Sequence, residues 1–186
     1  MATATAVIVN PSRVLHVGCG PAKLAGSVGL DVNPASAADV IHDLEVFPYP
    51  FPNNAFDLIV CHHVIEHLDN IPGVLEELHR ICAPGGRVEI KGPHFSSVHY
   101  FRDPTHRHPF SLRSFDYFVE GMPLSEFEYT TAKFRLIRAE FVVPQNAGML
   151  KRLFFRTLNR HGDLYEKHFA FWFPRHELIF ELGPVK

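Results

Sequence analysis

The run Arg13-Val14-Leu15-His16-Val17-Gly18-Cys19-Gly20 constrains the fold more than any other stretch of the chain. A short apolar, β-branched run that stops in a Gly-X-Gly turn reads as a strand with a bare turn at its carboxyl end. Such a turn lets backbone lie directly against a ligand, although two glycines at a strand end also serve conformation alone. Its meaning depends on the segments that follow.

Val28-Gly29-Leu30-Asp31-Val32 reads as a second strand ending in an acid, and Ala38–Leu44 as a third, with Asp43 near its end. A carboxylate at the tip of a strand beside a glycine turn suits two neighbouring hydroxyls of a ribose, with a solvated loop acid as the plainer alternative. Only seven residues separate Gly20 from Val28, whereas a parallel crossover normally takes about a dozen or more. The first crossover helix is therefore expected to be truncated, at most Ala22–Ala25, so its dipole counts for less and exposed backbone N–H groups for more.

Pro48-Tyr49-Pro50-Phe51-Pro52 resists helix formation, and Ala55–Cys61 is a nearly continuous apolar strand suited to the centre of a sheet covered on both faces. Val74, Leu75, Leu78, Ile81 and Cys82 form a helical stripe that Pro84-Gly85-Gly86 stops, and Arg87–Gly92 returns as a fifth strand. Strand and connector in alternation predict an α/β sheet with parallel strands.

The second half is less regular. Pro93–Pro109 is a long loop rich in histidine and aromatics. Ser111–Glu120 reads as a helix capped by Ser111, Lys133–Val143 as a strand, Met149–Asn159 as an amphipathic lid or surface helix, and Phe169–Phe173 and Glu177–Leu182 as closing strands.

The chain has 186 residues, 46% of them hydrophobic, which suits one globular domain over residues 1–186. A formal charge of −2 gives no global attraction for polyanions, so neither DNA nor a membrane is an expected partner. Three scattered cysteines at 19, 61 and 82 form no disulfide framework or zinc spacing, pointing to a reducing, cytoplasmic setting. Met1–Asn10 lacks the basic start and apolar run of a signal peptide. The oligomeric state is left open.

In order, VLHVGCG, GLDV, IHDL, FDLIVCHHVIEHL and LHRICAPGGRVEI resemble the class I S-adenosylmethionine-dependent methyltransferases, over roughly residues 13–92. The resemblance implies a Rossmann-like, doubly wound, mostly parallel seven-stranded sheet with an antiparallel last strand. Residues 13–92 would be the cofactor-binding half and 93–186 the substrate-side loops, lid segments and closing strands. S-adenosyl-L-methionine is the implied cofactor. Carried over by position, Gly18, Cys19 and Gly20 line its methionine part, Asp31 with Val32 its ribose, Asp43 and Leu44 its adenine, and Cys61 and His62 the region of the sulfonium. Many members have an acid where His16 stands, so this histidine implies a different hydrogen-bond arrangement around the turn.

Methyl transfer is an in-line displacement, so the protein must align a nucleophile and exclude water, with a base only where the nucleophile carries a proton. His63, His106 and His108 are candidates for that base, as are His94 and His99, and Arg107 stands between two of them in the Pro-bounded segment 104–109. The bland alternative is a structural loop whose histidines bond to backbone carbonyls. His63, Glu66 and His67 stand at i, i+3 and i+4, which on a helix would put three ligands on one face, and the position resembles the acidic and histidine ligands of ubiquinone-pathway O-methyltransferases. Glu-His-Leu is common in the superfamily without metal, so no metal is assigned. The Asn-Pro-Pro-aromatic and Pro-Cys motifs of DNA methyltransferases are absent from the sequence. The expected activity is methyl transfer to an O or N nucleophile of a small-molecule or saccharide acceptor. The alternatives are a catalytically inactive binding or regulatory protein of the same fold, and a histidine-based metal-binding module.

Overall fold

Strand β1 (Val14–Val17) pairs in parallel with β2 (Val28–Asp31) on one side and β4 (Phe56–His62) on the other, so the chain leaves its first strand at a switch point of the sheet. Ligands in open α/β sheets bind at such points, beyond the carboxyl ends of the strands. The computed structural model describes residues 13–186; Met1–Asn10, read above for a leader, lies outside the described residues. The remaining strands are β3 (Val40–Ile41), β5 (Cys82–Pro93), β6 (Phe134–Phe141) and β7 (Glu177–Pro184). Their order is β3-β2-β1-β4-β5-β7-β6; β1 to β5 run parallel, and β7 runs antiparallel to both β5 and β6. This is the expected seven-stranded sheet.

Helix α1 (Ile71–Ile81) is the crossover between β4 and β5. The Asn70 side chain accepts from the Gly73 N–H at 3.0 Å, Pro72 stands in the first turn, and Val74, Leu75, Leu78 and Ile81 form its buried stripe. Elsewhere in the first half the covering is not helical. Residues 18–27, 32–39 and 42–55 are turns and bends, so the helix expected at Ala22–Ala25 does not form and β3 is shorter than the strand expected from Ala38 to Leu44.

The proline-rich loop takes the place of a helix over that part of the core. Tyr49 and Phe51 are buried, and α1 holds them from behind. Glu77 accepts from the Tyr49 N–H at 2.8 Å, while the Arg80 guanidinium donates to the carbonyls of Phe51 and Tyr49 and to Glu77. A buried carboxylate next to a fixed guanidinium keeps its charge, and the Glu77 carboxyl lies below its usual range, the Arg80 and Tyr49 bonds prevailing over burial.

In the second half Ser111–Glu120 is not a helix. It is a chain of turns with a short 3-10 segment at Asp116–Phe118. Phe110, Leu112, Phe115, Phe118 and Val119 are all buried, with the Phe115 and Phe180 rings edge to face at 4.7 Å. The backbone closes in i to i+3 turns, the Ser114, Asp116, Phe118 and Val119 N–H groups donating to the Ser111, Arg113, Phe115 and Asp116 carbonyls. A short helix α2 (Val98–Arg102) interrupts the His-rich loop, α3 (Met149–Arg160) forms as expected, and α4 (Gly162–His168) follows it. Phe169–Phe173, expected as a strand, is the turn after α4.

Candidate active site

The Gly18–Gly20 turn is tied inward by all three of its N–H groups. Gly18 and Cys19 donate to the Leu30 carbonyl at 2.7 and 3.3 Å, and Gly20 donates to Asp31 Oδ2 at 2.8 Å. The expectation that these amides stay exposed for a ligand is corrected. What the turn offers is space: Gly18 has φ +59°, and a Cβ there would lie 2.3 Å from Val64 Cγ2.

His16 explains how the truncated crossover holds its shape. Its Nδ1 accepts from the Leu24 N–H at 3.1 Å, and burial, then the nearby His62, lower its pKa. A neutral imidazole is the form that can accept. Asp39 closes the same crossover by accepting from the Gly29 N–H at 2.7 Å and from Lys23 Nζ at 2.6 Å.

Beyond the strand ends lies a cavity of about 260 Å³ lined by Gly18, Asp31, Val32, Asp43, Leu44, His63, Val64, His67 and Leu68. It brings together five of the ten residues expected at the cofactor and His63 of those expected in catalysis. The Asp31 carboxylate accepts from Gly20 N–H through one oxygen and from Asn33 N–H, also at 2.8 Å, through the other. A carboxylate has about four acceptor positions, so a lone pair on each oxygen stays available for a diol. Asp43 accepts from the Glu45 N–H at 2.9 Å, and the Leu44 N–H meets no acceptor among the described residues. Val32, Leu44, Val64 and Leu68 supply apolar walls. A diol acceptor, a free amide, an acid and an apolar slot fit a nucleoside.

Five expected cofactor residues stand outside the cavity lining. His16 and Gly20 support the turn as described. The Cys19 side chain is turned toward Gly29, where a Cβ would meet its Sγ at 2.9 Å. Cys61 is fully buried in the core, and burial pushes its thiol well above the usual range. His62 Nε2 lies 2.7 Å from Glu89 Oε1. Val64 and Leu68 are cavity residues that sequence reasoning missed, and His67, singled out in the sequence only as a possible metal ligand, joins them.

His63 adopts φ +55°, which breaks the helical path assumed for residues 63–67. Its Nδ1 lies 3.2 Å from Glu66 Oε1 and its Nε2 3.3 Å from Glu177 Oε1. These carboxylates, Glu177 foremost, raise its pKa to about 9, and the same contact lowers Glu177 to about 2. The residues 65–67 form one 3-10 turn, and the set His63, Glu66, His67 does not converge. Ligand-capable atoms within 4.8 Å of one another belong instead to Glu66, His67 and His106.

The Pro104–Pro109 segment packs on that turn. The Arg107 and His108 N–H groups donate to the Glu66 carbonyl at 2.8 and 3.2 Å, His67 Nδ1 lies 2.9 Å from Thr105 Oγ1, and His106 Nδ1 2.9 Å from the Tyr100 carbonyl. Arg107 pairs with Asp69. His106 and His67 rings stand 4.6 Å apart, whereas His108 Nε2 is buried without a hydrogen-bond partner among the described residues. His106, Arg107 and His108 therefore brace the wall that His67 presents to the cavity, and none of the three lines it.

A second cavity of about 280 Å³ is lined by His99, Phe141, Val142, Pro144, Phe155, Arg175, His176 and Glu177. The His63–Glu177 contact joins the two, since His63 lines the first and Glu177 the second. His176 was not singled out in the sequence. It comes beside His99, ring centroids 5.0 Å apart, because β7 pairs with the end of β5 through Pro93 and Glu177.

Comparison with known proteins agrees with this fold. A solved S-adenosylmethionine-dependent methyltransferase from Archaeoglobus fulgidus superposes with a TM-score of 0.62 at 19% identity, over 92% of this chain and 86% of that one. Phosphoethanolamine N-methyltransferase 2 of Haemonchus contortus, solved in complex with S-adenosyl-L-methionine, superposes at 0.55 with 13% identity over 94% of this chain and 49% of that one. Likenesses at such identity show the fold. In sequence, the chain is 42% identical to an uncharacterized methyltransferase of Schizosaccharomyces pombe over 45% of its own length, and it spans about 41% of the length of that relative. A family profile described as a methyltransferase domain matches residues 2–121. With that match over more than half its length and a sheet of the order β3-β2-β1-β4-β5-β7-β6, the chain belongs to the methyltransferase-domain family, within the class I S-adenosylmethionine-dependent methyltransferases.

Proposed function

We propose that the protein transfers the methyl group of S-adenosylmethionine to an oxygen or nitrogen nucleophile of a small-molecule or saccharide acceptor. The observation that carries this reading is the pairing of two cavities across one contact, His63 to Glu177, with nucleoside-suited groups on one side and His99, Arg175 and His176 on the other. The cofactor supplies an electrophilic methyl carbon on a sulfonium; the acceptor lone pair forms the new bond as the carbon–sulfur bond breaks to a thioether.

Asp31 would hold the ribose hydroxyls, and the Leu44 N–H with Asp43 the adenine edge. His63 carries its proton at neutral pH because Glu177 and Glu66 stabilise the imidazolium and engage both of its N–H groups, so it fixes the wall between the cavities and does not serve as the base. His99 and His176, facing the acceptor cavity, are the imidazoles placed to take a proton from an acceptor hydroxyl or ammonium. Alignment supplies the rest of the rate.

Calorimetric titration with S-adenosylmethionine and with its demethylated product tests the cofactor half; absence of binding of either at millimolar concentration would sink the proposal. Formation of the demethylated product with a panel of hydroxyl and amine acceptors, reduced by His99→Ala or His176→Ala with cofactor affinity intact, tests the acceptor half.

A further inference from the structure

Helix α3 and the turn after α4 carry the most exposed of the large apolar side chains among the described residues. Met149 and Leu150 are 86% and 83% exposed, and Phe171 and Trp172 are each 80% exposed. Leu153, Phe154, Phe169 and Phe173 are also exposed. Phe154 of α3 lines one cavity with Phe169 and Phe173, so the two exposed groups are neighbours, and a contiguous apolar patch of this kind calls for a partner.

The charge on the same surface says which partner. On α3, Arg152, Arg156 and Arg160 form one i, i+4 ridge. Met149 and Leu153 form the next ridge, and Leu150 and Phe154 the one after it. Residues 149–175 contain six Lys and Arg against two acids, whereas the whole chain has 18 against 20, leaving 12 basic and 18 acidic residues elsewhere. The two acids do not offset the basic ridge. Asp163 is paired with Arg113 at 2.6 Å, and Glu166 turns inward, accepting from the Leu112 N–H at 2.7 Å beside His94. The near-neutral total charge therefore conceals a basic face on an acidic body.

We infer that this face docks on an anionic lipid bilayer, with α3 lying in the interface and Phe171 and Trp172 inserted at headgroup depth. A helix with apolar side chains on one exposed flank and arginines on the other is the arrangement of interfacial helices, and Trp and Phe favour that depth. No helix of the described residues is long and apolar enough to cross a membrane, so the contact is with the surface. A second copy of the chain fits the face less well, because a two-fold pairing sets the same patch of each copy against the other and brings two arginine ridges together. Between α3 and the turn lies an apolar cavity of about 380 Å³, walled by Phe154, Leu158, Leu164, Tyr165, Phe169 and Phe173, with Arg175 at its edge. Arg175 also lines the acceptor cavity, so the docked face borders the site. The inference does not depend on the acceptor or on catalysis.

Trp172 is the only tryptophan of the chain, which makes the intrinsic fluorescence a reporter at one position. With vesicles of phosphatidylcholine and phosphatidylglycerol, the emission of the whole chain is expected to shift to shorter wavelength and the protein to sediment with the vesicles; with phosphatidylcholine alone both effects should be much weaker. Arg152→Glu combined with Arg156→Glu should weaken partitioning at least about tenfold, from roughly 1 kcal/mol per basic residue at an anionic surface. Phe171→Ser should lessen both partitioning and the shift, while circular dichroism and cofactor binding stay as in the wild type. The inference is overturned if the emission and sedimentation are unchanged by anionic vesicles, or if Trp172 is already shielded without lipid in a dimer that dilution breaks.

Discussion

Nε2 of His63 lies 3.3 Å from the carboxylate of Glu177, a residue that enters from the antiparallel strand β7, and this contact links the cavity at Asp31 and Leu44 to the cavity at His99 and Arg175. Lys91 approaches the same carboxylate from β5 at 2.8 Å. The centre of the site thus depends on residues from both halves of the chain. A nucleoside-binding half alone would lack the group that keeps His63 charged.

That contact sets a pH dependence. The His63 pKa is raised from 6.5 to about 9, so its contribution to stability is fully present below about 6.5 and is lost as pH rises through about 9. Glu177 is lowered from 4.5 to about 2, so its contribution is present above about 4.5 and is lost as pH falls through about 2. Nitrogen-detected imidazole titration should find the His63 midpoint near 9, moving down in Glu177→Gln. Thermal melting should weaken between pH 6.5 and 9 in the wild type and less so in that variant. A His63 midpoint near 6.5 in the wild type would contradict the assignment.

Asp31 holds the Gly20 and Asn33 amides while presenting its remaining lone pairs to the cavity. Hydrogen bonds to a charged group are worth about 1.5–3 kcal/mol, so Asp31→Ala should weaken S-adenosylmethionine binding by roughly tenfold to a hundredfold. Asp31→Asn keeps one acceptor oxygen and should fall between. Wild-type affinity in Asp31→Ala, read by calorimetry, would move the ribose elsewhere.

Most strands were legible because they are short apolar runs separated by glycine, proline and acids, the antiparallel last strand came only from the resemblance, and Asp31 and Asp43 could be placed because both stand at strand ends. Helix α1 and the brevity of the first crossover were legible as well; what holds the loop crossovers was not. Their hold comes from contacts across the fold, such as His16 on Leu24 and Arg80 on the Tyr49 and Phe51 carbonyls, which no local pattern announces. Ser111–Glu120 misled because its buried residues keep a helical spacing while its backbone closes in i to i+3 turns, and Phe169–Phe173 because its apolar run faces outward with no strand to pair. The second cavity was legible only in part, since His99 and His176 meet through the pairing of β5 with β7.

Gly18 is where the turn tolerates least change. Alanine there meets Val64 Cγ2 at 2.3 Å and is held at φ +59°. The left-handed backbone costs about 1–2 kcal/mol for a residue with a Cβ, and overpacking adds roughly 1–3 kcal/mol. Gly18→Ala should lower the melting temperature and cofactor affinity together. Combining it with Val64→Ala removes the clash but not the backbone strain, so part of the loss should return. Full recovery in the double variant would show that sterics alone fix the glycine.

Nδ1 of His16 is the acceptor for the Leu24 N–H. His16→Leu leaves that amide unsatisfied inside the crossover, at about 1–3 kcal/mol, and should loosen the turn that carries Asp31's partner Gly20. The pH signature separates this role from simple packing. Burial lowers the His16 pKa, so its contribution is present above about 6.5 and is lost as pH falls below that value. His79 is shifted the same way by burial, so the two overlap in the wild type. Between pH 4.5 and 6.5 the His63–Glu177 contribution is flat, and the difference between wild type and His16→Leu isolates His16. The stability gap should narrow as pH falls from 6.5, read by denaturant unfolding at each pH. A gap that stays constant over that range would mean that the imidazole packs there without accepting the Leu24 amide.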